Sequence, residues 1–315
     1  MILKQLPDLS PRPRTPAQAE FRRWFYERWG RENAIILGRA TRAEYPPFTQ
    51  TLSIKRAWGG SEDYLLGARR LAVGGTHCLI LNEGAHYGAR IASPTPVTSM
   101  AVFFRPAMAQ QLAGAATQSA QQLLDAEHEA SSGECRFAEH LRPLSPALDQ
   151  RLSRIRDAVA AGEDGEQWLE EQLQALLWEM LASERGWHTR ALALKDMCRS
   201  AHLELLARVD RVTDYIISCQ NQPLTLDELA VVARLSKFHL VRLFRRVHGL
   251  TPMAFLTRLR ARAAERLVLD TTLSLDEVAE LSGFGSRQTL FRQLRRHSGD
   301  GGRALRRRLA QEQDH

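Results

Sequence analysis

The sequence predicts an α+β protein: a β-rich, barrel-like N-terminal part, a helical segment after it, and an all-α C-terminal domain carrying two helix-turn-helix motifs. Three observations predict it. Residues 224–249 and 273–299 repeat one pattern, capping box, short helix, tight break, second helix. Residues 33–105 read as short runs that alternate apolar and polar and are broken by Gly, Pro and Asn. The charge is also divided: of the formal +7, residues from Arg199 onward hold 20 Lys+Arg against 13 Asp+Glu, while residues 1–198 balance at 23 against 23. At 315 residues, 44% hydrophobic and 25% charged, the chain has room for two domains of ordinary soluble composition. The boundary is expected near residue 200, giving domains 1–200 and 201–315.

In chain order, Pro7, Pro11, Pro13 and Pro16 make the first sixteen residues an extended arm, since proline fixes φ and withholds a donor. A helix is expected over Ala17–Trp29, with Phe21, Trp24, Phe25 and Trp29 as packing residues. The runs AIILGRAT, FTQTLSIKRAW, YLLGARRLAV, HCLILNEG and TSMAVFFR then read as strands of an antiparallel sandwich or barrel over about 33–105. Residues 106–195 turn helical, over Gln118–Glu129, Ala147–Ala160 and Glu166–Arg185. In the last of these Leu169, Leu173, Leu176, Leu177 and Met180 draw a stripe that must be buried, on the sheet or on a second copy in a symmetric dimer. A linker at Cys198–Ala201 and a helix over His202–Gln220 lead into the repeated motif.

Each copy of the motif opens on a capping box, Thr225 with Glu228 and Ser274 with Glu277, and restarts on a serine N-cap, Ser236 or Ser286. At about 100° per residue, Leu240, Leu243, Phe244 and Val247 share one face of the second helix, and Phe238, Val241, Arg242 and Arg245 lie opposite. In the second copy Leu290, Gln293 and Leu294 take the core side, and Gln288, Phe291, Arg292 and Arg295 the free side. A free face of guanidinium, amide and apolar groups suits base edges: Arg to guanine, Gln to adenine, apolar groups to the thymine methyl. Thr251 as N-cap and Pro252 at the first helical position start a connecting helix to about Leu269.

The paired motifs, the run Ser236-Lys237-Phe238-His239-Leu240-x-Arg242-x-Phe244, Gly249-x-Thr251-Pro252 and Gly283-Phe284 resemble the DNA-binding domain of the AraC/XylS transcription regulators. The resemblance covers roughly the last third of the chain. It implies that double-stranded DNA is the partner, and that both second helices enter adjacent major-groove segments. The DNA-contacting set carried over is Lys237, Phe238, His239, Val241, Arg242, Arg245 and Arg246 in the first copy, and Arg287, Gln288, Thr289, Phe291, Arg292, Arg295 and Arg296 in the second. It further implies a cupin-like barrel and dimerisation helices in residues 1–200, a small-molecule effector, activation through RNA polymerase, and a homodimer. The chain departs from the family pattern at Gly299-Asp300-Gly301-Gly302-Arg303-Ala304-Leu305, where a Pro and an aromatic are usual, and at Leu290 and Leu294, where Phe is usual. Those departures point to a loosely packed closing helix and to a weaker second reader.

Arg56, Trp58, His77, Tyr87 and Arg90 are candidate effector contacts, for an anionic or aromatic ligand. His77, Glu83 and His86 lack the spacing of a metal set, so no metal and no cofactor is expected. Cys78, Cys135, Cys198 and Cys219 are scattered, with no C-x-x-C. That argues against the alternative reading, a DNA-alkylation-repair protein that accepts methyl groups on an activated cysteine beside the same type of DNA-binding domain. Hydrolase, P-loop, dinucleotide and zincin motifs are missing, so no enzyme is expected. With neither a signal-like N-terminus nor an apolar run near about 18 residues, the expected location is the cytoplasm. The Arg306-Arg307-Arg308 run reads as a solvated or phosphate-touching helix end.

Overall fold

A single 18-residue strand, β7 (His86–Phe103), organises the N-terminal unit. It pairs antiparallel with β2 (Ala34–Thr49) along one edge, and with β3 (Ser53–Trp58) and β4 (Ser61–Leu66) along the other. The sheet runs β1 (Ile2–Leu3), β2, β7, β3, β6 (His77–Leu81), β8 (Leu141–Pro143), and β5 (Arg69–Gly74) joins it through β4. Only β1 on β2 is parallel among these pairs. The computed structural model describes residues 1–7, 14–112, 136–163, 165–192, 199–271 and 273–298. The chain divides into two units, Met1–Arg190 and Ala191–His315.

Proline punctuation suggested shorter strands than the molecule has. Pro94 and Pro96 lie inside β7, and Pro46 and Pro47 inside β2. The ladder accommodates them because its register slips there: Ala40 pairs with Val97 but Arg42 with Ala92, and a second shift falls between Tyr45 and Phe48. A residue without an N–H fits where the ladder is interrupted. Conversely, FTQTLSIKRAW is two strands, because β2 ends at Thr49 and β3 starts at Ser53.

The two-residue period of the strands sorts the core. Ile35, Leu37, Ile54, Cys78, Ile80, Met100 and Val102 face α2 (Pro146–Ala161) and α3 (Glu166–Leu192), where they meet Leu148, Leu152, Ile155, Leu173, Leu176, Leu177 and Met180 in one cluster. The leucine stripe of α3 is therefore buried on the sheet of its own unit, Leu173 and Leu177 at 0% exposure, and is not a free face for a second copy. A buried ion pair of Arg142 on β8 with Glu184 on α3 adds to the same layer. On the other side of the sheet Ala34, Ile36, Ala101 and Phe103 pack with Phe25 and Phe21 of α1 (Pro16–Arg28) and with Trp29, which caps its end. That helix starts on a Thr15–Gln18 capping box and stacks Phe25 on Trp29 at 4.7 Å.

The second unit is helical: α4 (Arg199–Ser218), α5 (Leu226–Ala233), α6 (Lys237–His248), α7 (Pro252–Asp270), α8 (Leu275–Leu281) and α9 (Arg287–Ser298). Arg199 already lies in α4, so the residues from Arg199 to Ala201 continue a helix where a linker was expected. The helix expected over Gln118–Glu129, residues Cys135 and Cys198, and the tail with Gly299–Leu305 and Arg306–Arg308 lie outside the described residues. Among the described residues no helix is long and apolar enough to cross a membrane.

Candidate nucleic-acid interface

Both motifs are built by the same local chemistry. Thr225 Oγ1 accepts the Glu228 N–H at 3.2 Å while the Glu228 carboxylate accepts the Thr225 N–H at 2.8 Å, and Ser274 with Glu277 repeats both distances. Two orphan donors are satisfied at each helix start, and acidic first turns complement the helix dipole. The breaks share one left-handed residue, but the second is a residue longer and has a further positive φ at Gly285. Arg234 takes the left-handed conformation at φ 52°, where the second copy has Gly283 at φ 78°. Arg208 holds the Arg234 carbonyl at 3.1 Å. The second helices then start on Ser236, accepting the His239 N–H at 3.2 Å, and on Ser286, accepting the Thr289 N–H at 3.3 Å.

Packing decides which face is left over. Leu240, Leu243 and Phe244 are buried, with Phe244 edge-on to Phe255 of α7 at 5.5 Å. Leu290 and Leu294 are buried with Ala264, Val268, Val278 and Ala279 in the second core, so leucine fills these two positions without leaving them exposed. On the opposite face of α6, Lys237, Phe238, Arg242, Arg245 and Arg246 are exposed, and His239 and Val241 half-buried. On α9, Arg287, Gln288, Phe291, Arg292, Arg295 and Arg296 are exposed and Thr289 half-buried. Phe238 is 80% exposed, an aromatic ring held in water with no core to join.

Ion pairing separates these cations into two groups. Lys237 Nζ meets Asp227 Oδ1 at 2.8 Å, and Arg287 Nη1 meets Asp276 Oδ2 at 3.7 Å, the same contact at matching positions of the two copies. Among the described residues no carboxylate pairs with Arg242, Arg245, Arg292 or Arg295, which project as unneutralised guanidinium groups. The connector α7, capped by Thr251 with Pro252 at its start, joins the two motifs. Its Arg260 anchors the turn after α4, Nε to the Gln220 carbonyl at 2.6 Å and Nη2 to the Gln222 carbonyl at 2.5 Å.

A family model described as "Helix-turn-helix domain" matches residues 229–308. The C-terminal domain belongs to the AraC-type helix-turn-helix family. Two curated relatives are the RCS-specific HTH-type transcriptional activator RclR of Escherichia coli, 31% identical over 97 residues, 31% of this chain and 34% of that protein, and the bifunctional transcriptional activator/DNA repair enzyme AdaA of Bacillus subtilis, 28% identical over 78 residues, 25% of this chain and 37% of that protein. A solved structure, a probable AraC family transcriptional regulator from Rhodopseudomonas palustris, is 27% identical, with 32% of this chain and 95% of that one covered at a TM-score of 0.30. The chain thus spans about a third of the length of these two curated relatives. Of the cysteines that repair chemistry would need, Cys78 is fully buried, and burial pushes its thiol up to about 12; Cys219 is half-buried.

Outside the AraC-type domain, the N-terminal unit contains a second site. A cleft of about 60 Å³, or about 510 Å³ when the solvent space at its mouth is counted, opens on the α1 face of the sheet. Its walls include Phe25, Trp29, Tyr45, Phe48, Tyr64, Tyr87 and Phe103, and its polar groups Gln50, Lys55, Glu62 and Ser99. Of the five effector candidates only Tyr87 lines it. The pleat explains the difference. Arg56 and Trp58 follow Ile54 onto the α2 face, where Arg56 pairs with Asp149 at 3.2 Å and the Arg156 guanidinium lies 4.7 Å from the Trp58 ring. Lys55, between Ile54 and Arg56 in sequence, points the other way, into the cleft. His77 is buried with Nδ1 3.5 Å from Thr76 Oγ1, and Arg90 is exposed. The structure does not bring the five together. His77 is buried while Glu83 and His86 are exposed, and no cluster of metal-ligating side chains occurs among the described residues.

Proposed function

We propose that the chain is a sequence-specific, DNA-binding transcription regulator that activates its targets under the control of a small molecule taken up by the N-terminal unit. One observation carries the reading: two helix-turn-helix motifs in one domain, each presenting arginines with no ion pair among the described residues, on a helix whose leucines are buried on the other face. Arg242 and Arg292 read bases in successive major-groove segments about one helical turn apart, with Gln288, Phe238 and Phe291 beside them. Arg246 and Arg296, later on their helices, contact phosphates. The excess positive charge of the C-terminal part supplies the sequence-independent share of affinity. RclR and AdaA both carry activator names, which supports activation and hence contact with RNA polymerase. Two copies of the chain on one operator would associate through a surface other than the buried Leu173–Leu177 stripe.

Genome-wide mapping of DNA bound by the full chain, followed by binding to the mapped site and to scrambled controls at two salt concentrations, tests the proposal. A preference of about a thousandfold or more over the controls, falling with salt, is the expected outcome. Equal affinity for every sequence would reduce the domain to a non-specific polycation.

A further inference from the structure

The chain has only four lysines, Lys4, Lys55, Lys195 and Lys237, among 43 basic side chains. Arginine is used almost everywhere else, so a lysine in the interior stands out. Lys55 is 1% exposed, and its Nζ lies 3.6 Å from the Phe103 ring centroid, 5.1 Å from Tyr87 and 5.8 Å from Tyr64. Among the described residues it makes no hydrogen bond and no ion pair. Arginine keeps its charge and its five donors in any setting, whereas a lysine enclosed by apolar walls can shed its proton and become a nucleophilic amine. Burial holds Lys55 well below the usual lysine range, with Glu62 opposing that shift.

Two further groups define what could sit against the amine. The Glu62 carboxylate accepts from Ser99 Oγ at 2.5 Å and Tyr64 Oη at 2.8 Å, so it is fixed in the same cleft as an acid–base group. Gln50, 8% exposed, leaves its Oε1 buried without a hydrogen-bond partner, an acceptor waiting for a donor. The free space is small, about 60 Å³ against the roughly 150 Å³ of a cavity that takes benzene, so the amine and the carbonyl meet inside the cleft while the body of the ligand lies along the aromatic walls toward the open mouth.

We propose that this cleft takes a small aldehyde or ketone with an aromatic or aliphatic body and a hydroxyl group, and that the Lys55 amine joins it as an imine. The nitrogen lone pair forms a bond to the carbonyl carbon, and the carbonyl oxygen takes up a proton. That first proton comes from the amine; the Glu62 carboxyl gives the carbinolamine hydroxyl a second, the oxygen leaves as water, and the remaining N–H proton returns to Glu62, so amine plus carbonyl gives imine plus water. The ring fills the aromatic walls, and the hydroxyl donates to Gln50. The inference deepens the effector role proposed for the N-terminal unit, but the covalent step is measurable without DNA.

The full chain is incubated with 4-hydroxybenzaldehyde and cyanoborohydride near neutral pH, digested, and the adducts are mapped by mass spectrometry. Lys55 should label at least about tenfold faster than Lys4 or Lys237, because an ordinary lysine is almost entirely protonated there. Lys55→Met, with its fold checked by circular dichroism, should lose this adduct and keep the slow ones. Lys55→Arg serves as a second variant if the methionine protein fails to fold. Labelling confined to Lys4, Lys195, Lys237 and the N-terminus, with Lys55 untouched, overturns the proposal. Operator binding by unlabelled protein is measured in parallel, so failure of the regulator reading is seen separately from failure of the imine.

Discussion

Gly283 and Gly249 offer a controlled comparison of two causes of strain. Both have positive φ, 78° and 72°, each following a helix of the AraC-type domain. Alanine in the left-handed region costs about 1–2 kcal/mol whatever its surroundings. At Gly249 a new Cβ would find nothing within 4 Å, so Gly249→Ala should cost only that. At Gly283 it would meet Arg260 Nε, Asn221 Cα and Gln220 O, each at 2.9 Å, and two of these belong to backbone. Two of those atoms also form the Arg260 anchor, whose Nε donates to Gln220 O at 2.6 Å. Displacing one charge-assisted bond costs about 1.5–3 kcal/mol, at the low end for a half-buried arginine. Gly283→Ala should therefore lose about 2 kcal/mol more than Gly249→Ala. Native-state hydrogen exchange of the full chain, read on peptides of α8, α9 and the 219–222 turn, measures both openings. Equal losses from the two variants would refute the close-approach argument.

Arg242→Ala and Arg292→Ala should each relax discrimination by about 1–3 kcal/mol in a different half of the operator, with the larger loss from Arg242→Ala; a panel of single-base variants at two salt concentrations reads this, and uniform losses would assign both arginines to phosphates. Leu173→Asp, fully buried against the sheet, should destabilise the N-terminal unit by about 4 kcal/mol or more, so thermal melting should change before any association state does. For Lys55 the unfolded chain binds a proton that the folded chain releases, so stability should rise with pH from the lowered folded value up to the ordinary value of 10.5. Lys55→Met should flatten that rise, and urea melts of both proteins across the alkaline range check it.

The helical unit was legible because its signals are local. Capping boxes, serine caps and the Leu240–Phe244 stripe each act within one turn, and Thr251-Pro252 marks a helix start with no tertiary help. The sheet was less legible because its signals depend on partners. Pro94 and Pro96 read as strand breaks until the register slip of β2 on β7 shows them outside the ladder. Arg56 and Trp58 miss the cleft by one residue: both take the α2 face, while Lys55 has the parity that reaches the cleft, and parity needs one buried neighbour to be known. The scarcity of lysine was the available clue. Glu62 and Gln50 carried no local signal, since only the folded cleft brings them near Lys55.

The central place of β7 also sets an order of events during synthesis. β2 leaves the ribosome early, yet its partner begins at His86, and the sheet face it helps form is covered only when α2 and α3, ending at Leu192, have emerged. The nascent N-terminal unit must therefore carry Ile35, Leu37 and Ile54 uncovered until the chain has been made as far as Leu192, the interval in which unpaired strands are most prone to wrong partners. The later helices face no such wait, since each packs on neighbours made moments before. Growth conditions that crowd or slow the ribosome should lower the yield of this protein through its first half, and chaperones that shield apolar strands should act there.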